Sequence, residues 1–96
     1  MKTPTPQMPQ DPVRVAHLLA ACEDLAEKLG IHVIRDRMGA RGGLCQLKGQ
    51  WRLYINVALD PEDQLETYAG AFAGFDLSGQ YVLPALRAEI ERHGGE

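Results

Sequence analysis

Three histidines and two cysteines are the side chains most able to bind a metal or attack a substrate, and their spacing supports neither chemistry. His17, His32 and His93 fall in a helix-type stretch, a strand-type stretch and the C-terminal end of the chain. Cys22 and Cys45 are far apart, with no C-x-x-C and no histidine at ligand spacing from either. A zinc site needs its ligands grouped locally or on facing elements, and no such grouping is legible. No nucleophile elbow and no Ser-His-Asp order is present either. The reading from residues alone is therefore no catalytic set, no metal and no cofactor. Both cysteines occupy apolar positions of their segments, where a thiol behaves as a small hydrophobe. They are expected to be reduced, buried and unmetallated.

Two other clusters could recognise a partner. Residues 31–57 carry Arg35, Arg37, Arg41, Lys48 and Arg52 against one acid, Asp36, a local charge of +4 that leaves −7 on the rest of a chain whose net charge is −3. These five cations are candidates for an anion or an acidic partner, and Tyr54 could stack on a base. The acidic total and a pI near 5.5 disfavour nucleic acid without removing it as an alternative. Gly39, Gly42 and Gly43 lie among the arginines, but they match neither glycine-rich phosphate-binding pattern and lead into a strand, so they read as a connection. The second cluster is Gly70 and Gly74, inside a helix-type stretch and on the same side as Asp63 and Thr67. Each interior glycine costs about 1 kcal/mol relative to alanine. The small-xxx-small spacing lets another backbone approach, either the last helix of the same chain or a second subunit. Asp63, Thr67, Gly70 and Gly74 are thus the candidate partner contacts.

The elements that must hold these residues follow from periodicity. Residues 1–10 hold three prolines and almost no apolar surface, and are expected to be a disordered tail. Residues 11–93 are expected to form one α+β domain. Asp11-Pro12 opens a helix as N-cap and first helical residue. Val15, Leu18, Cys22, Leu25 and Leu29 form its apolar stripe and Gly30 stops it. Ile31 to Asp36 reads as a strand. Leu44–Lys48 and Trp51–Val57 read as a hairpin with a three-residue loop, Lys48 to Gln50. That register sets Leu47 opposite Trp51 and Cys45 opposite Leu53 on one apolar face. Asp60-Pro61 opens a second helix, expected to run through residue 75, and Pro84 opens a last one. The expected architecture is an N-terminal helix, a small antiparallel three-stranded sheet and two C-terminal helices. Leu25, Leu29, Val33, Leu47, Trp51, Leu53, Ile55, Leu65, Phe72 and Leu86 should form the core.

From Leu29 to Glu91 the chain resembles a group of short bacterial proteins of unassigned function. The shared pattern reads here as Leu29-Gly30-Ile31, Gly42-Gly43-Leu44-Cys45, Ile55-Asn56 with Leu59, and Leu83-Pro84-Ala85-Leu86-Arg87. More distantly, Leu53-Tyr54-Ile55-Asn56, the acidic linker, Gln64 and Thr67 look like the strand-to-helix junction of ImmA/IrrE-type zinc peptidases. That resemblance puts the two zinc-binding histidines of the family's H-E-x-x-H on Gly70 and Gly74, and its glutamate on Ala71. It implies a zincin-like scaffold that has lost all three functional side chains.

These readings converge on a non-enzymatic interaction or regulatory module, with a second copy or an acidic protein as the expected partner. A minimal hydrolase and a nucleic-acid-binding module on the basic sheet region are the alternatives. No run is long and apolar enough for a membrane span, the N-terminus has no signal-peptide pattern, and two unpaired thiols suit a reduced compartment. The expected location is the cytoplasm, with no membrane partner.

Overall fold

The computed structural model describes residues 12–37 and 42–94. Their order is α1 (Pro12–Lys28), β1 (Ile31–Asp36), β2 (Gly42–Leu47), β3 (Gln50–Asn56), α2 (Pro61–Phe72) and α3 (Pro84–Gly94). The expected tail, the N-cap Asp11, Arg41 and most of the glycine-rich connection lie outside the described residues. The fold is α+β, one helix followed by a three-stranded sheet and two helices, and no described helix is long and apolar enough to cross a membrane.

The α1 stripe forms as its spacing requires: Val15, Leu18, Cys22 and Leu25 are buried, joined by Ala26. Gly30 then turns the chain at φ +78°, a left-handed conformation that glycine adopts without strain. The sheet is mixed, which corrects the antiparallel expectation. Its order is β1-β3-β2, with β1 parallel and β2 antiparallel to β3. The physical reason lies in burial. Leu53 and Ile55 of β3 are both fully buried, so that strand takes the centre and the other two flank it.

The hairpin register also differs from expectation by one residue. Leu47 pairs with Gln50, Gln46 with Trp51, Cys45 with Arg52 and Leu44 with Leu53. The loop is the two-residue Lys48-Gly49, with φ of 53° and 80°. Two successive left-handed residues match the twist of antiparallel strands, and this local preference outweighs the apolar pairing that favoured a longer loop. Because side chains alternate, the slip sends Cys45 and Leu47 to the opposite face, where both are exposed. The expectation of a buried Cys45 and of Leu47 in the core is thereby overturned. Trp51 stays on the inner face and meets Phe75 edge-on, with ring centroids 5.3 Å apart. Leu29, Val33 and Trp51 are only partly buried, at the margin of the core.

The helices cover one face of the sheet. α1 packs on β1, while α2 packs on β3 and β2 and also touches α1 and α3. Leu65, Tyr68, Ala69 and Phe72 of α2 meet Leu86 and Ile90 of α3 in a single core. The other face of the sheet carries His32, Ile34, Cys45, Arg52 and Tyr54, as strand register and alternation dictate.

Candidate functional site

β3 passes into α2 through a tightly bonded corner. The Asn56 side-chain oxygen accepts the Ala58 backbone N–H at 2.9 Å, and the Gln64 side-chain amide donates to the Leu59 carbonyl at 2.9 Å. Asp60 precedes Pro61 but forms no side-chain cap bond. The corner aims α2 across β3 and β2, and leaves a cleft between α2, β2 and the end of α3.

That cleft has a volume of about 540 Å³ and is lined by residues from all three elements, among them Leu44, Glu66, Thr67, Gly70, Gly74 and His93. Three of the four expected partner-contact residues are therefore brought together, and Asp63 is left outside the lining. Thr67 directs its hydroxyl at the Asp63 carbonyl, 3.1 Å away on its own helix, so the hydroxyl is already engaged. The helix stops at Phe72 rather than running to residue 75. Gly74 lies in the turn that follows, where its N–H donates to the Ala71 carbonyl at 3.3 Å.

The glycines do not have the internal partner that their spacing suggested. A Cβ on Gly70 would meet only His93 Nδ1, at 3.9 Å, and one on Gly74 would meet only the Ala71 carbonyl, at 3.8 Å. Each is an ordinary van der Waals separation to a single atom, so a methyl group fits at either position without displacing a neighbour. The close approach between α2 and α3 occurs at the chain's end instead, where a Cβ on Gly94 would come within 3.1 Å of Ala73 Cβ. The last helix therefore does not fill the groove beside Gly70.

The four described cations of the five are not gathered into one patch, and Arg41 lies outside the described residues. Arg35 belongs to the helix-covered face of the sheet and forms an ion pair with Glu23 of α1. Arg52 belongs to the opposite face, its Nε buried without a hydrogen-bond partner. Arg37 is exposed just beyond β1 and Lys48 at the hairpin turn. No group of three or more histidine, cysteine, aspartate or glutamate side chains able to hold a metal occurs among the described residues.

Two titratable groups of the core are shifted by burial. Burial, and secondarily the charge of Glu89, push the Cys22 thiol up to about 12. Burial also raises the Tyr68 phenol. The nearby Arg35 guanidinium offsets part of that rise, although the hydroxyl completes no hydrogen bond within the normal geometric range. Both groups are held neutral, which suits packing and not nucleophilic attack.

Sequence reasoning missed Leu44, Glu66 and His93 as cleft residues. His93 read as part of the C-terminal end beyond the last helix, whereas α3 continues through Gly94 and carries it against α2. One signal could have located the site: Gly42–Leu47 contains no ionisable residue except a thiol, next to a strand-type run rich in charge. Compared with family models, curated proteins and solved structures, the chain finds no match among any of the three.

Proposed function

We propose that this chain is a non-enzymatic interaction module that captures an extended protein segment along the free edge of β2, over the cleft floored by Gly70 and Gly74. The observation that carries the reading is the coincidence of an end strand with an open, side-chain-poor cleft beside it. An end strand offers unpaired backbone N–H and C=O groups, and an added strand satisfies them while its alternate side chains seek a pocket. The cleft supplies that pocket. Gly70, which lowers the helix propensity of α2 by about 1 kcal/mol, gains a purpose if the space beside it is taken by another chain.

The chemistry of the cleft agrees with binding more than with turnover. Thr67 is engaged by its own helix, Gly70, Ala71 and Gly74 supply neither ligand nor base, and the two ionisable side chains of the lining, Glu66 and His93, belong to no metal-holding group of three among the described residues. The ImmA/IrrE resemblance adds support, because those three positions are the ones it assigns to the lost zinc and water-activating residues. On this reading a zincin-like scaffold without its metal chemistry serves as a recognition surface.

The test is selection of random peptides, displayed as extended segments, on the immobilised protein. Binders should protect from exchange the β2 backbone amides that do not bond to β3, and should lose affinity at least tenfold for Gly70→Leu. Binders that ignore Gly70→Leu, or the absence of any binder at β2 on protein immobilised sparsely enough to be monomeric, would contradict the proposal.

A further inference from the structure

Among the described residues the sheet has two end strands, and they differ in charge. β1 reads Ile-His-Val-Ile-Arg-Asp, and its His32, Arg35 and Asp36 are exposed. Charged side chains on an edge discourage pairing with another sheet. β2 reads Gly-Gly-Leu-Cys-Gln-Leu, with no charged residue and no proline. Exposed Cys45, Gln46 and Leu47 lie along it. By the same principle β2 is an edge left open to pairing.

We infer that the segment received by β2 is β2 of a second copy, paired antiparallel across a two-fold axis normal to the sheet. The inference rests on the reading of β2 and its cleft as the binding surface. A two-fold interface brings each residue against the same strand in reverse, so the strand must tolerate itself. A neutral strand does so without opposing like charges, and it offers nothing specific to the acidic partner that the basic residues suggested. A register centred on Cys45 pairs Gly43 through Leu47. It also sets Leu47, 48% exposed in the single chain, against Gly43 of the second copy, reducing its exposure. The axis keeps all helices on one side of a continuous six-stranded sheet and turns the two clefts toward each other. The bare surface at Gly70 then admits the second copy where a larger side chain would obstruct it. At 96 residues the core is small, and association adds buried area that the single chain lacks.

The experiment is sedimentation equilibrium over a wide range of concentration in the presence of a thiol reductant, so that any dimer is non-covalent. The wild-type chain should be a dimer that dissociates on dilution. Cys45→Lys sets two ammonium groups opposite each other and should weaken the dimer several-fold or more, with circular dichroism reporting an intact fold. Gln46→Lys places a charge on the same edge by a different side chain, and serves as the second variant should the first fail to fold. His32→Lys, on the β1 edge, should dimerise like the wild type. A wild-type chain that is monomeric at every concentration overturns self-pairing, as does a dimer indifferent to both β2 variants. If the monomer still binds displayed peptides along β2, only self-pairing has failed. If it binds none, the recognition reading has failed as well.

Discussion

Replacing Gly70 by alanine should stabilise the fold. The residue lies within α2, its surface is exposed, and a Cβ would meet only His93 Nδ1 at 3.9 Å, an ordinary van der Waals separation. Nothing need move to accept it. The gain is then the helix propensity difference, about 1 kcal/mol. For a domain of this size that corresponds to a melting temperature higher by roughly 4–8 °C. Gly94→Ala is the contrasting change. Its Cβ would stand 3.1 Å from Ala73 Cβ, so the neighbour must shift by a few tenths of an ångström, and a smaller gain than at Gly70 is expected. Differential scanning calorimetry on dilute protein separates the two. A Gly70→Ala variant that melts at or below the wild-type temperature would show that the single chain packs against Gly70 after all, and the open cleft would have to be abandoned.

Other expectations follow from burial. Leu53 is fully buried in the central strand, so Leu53→Ala should cost about 2–5 kcal/mol in a denaturant titration. Only one thiol should react quickly with a disulfide reagent in the native protein, because Cys45 is exposed and Cys22 is buried; Cys22 should react only on unfolding. Alkali should destabilise the fold. With the Cys22 thiol raised from 9.0 to about 12, the unfolded chain releases its proton first, so stability is full below pH 9 and falls as the pH climbs toward 12. The loss at full titration is on the order of 4 kcal/mol, and Cys22→Ser should flatten that decline in pH-dependent unfolding curves. The raised Tyr68 phenol acts in the same direction.

Much of the fold was legible because it rests on local rules. The α1 stripe and the Asp-Pro and Leu-Pro helix starts are properties of short windows, and all three helices begin where those windows place them, although α2 ends at Phe72. The sheet was less legible. A hairpin is local, but the partner of β1 is chosen by burial of the whole sheet, and Leu53 with Ile55 draws β3 to the centre. The register failed at one residue. Lys48 adopts a positive φ, which apolar pattern cannot foresee, and the one-step slip moved Cys45 and Leu47 outward. At the candidate site, Gly70 and Gly74 stood out because glycine within a helix is costly. Their setting did not, since Leu44 and His93 reach the cleft from elements remote in sequence.

The account turns on whether β2 is an occupied edge in solution, and residue-resolved amide hydrogen exchange as a function of protein concentration measures this directly. The β2 amides that do not bond to β3 should become protected as concentration rises, while the outward amides of β1 exchange at a constant fast rate. If the two edges exchange alike, with β2 unprotected at every concentration, the charge asymmetry of the edges has no consequence for association and the central claim fails.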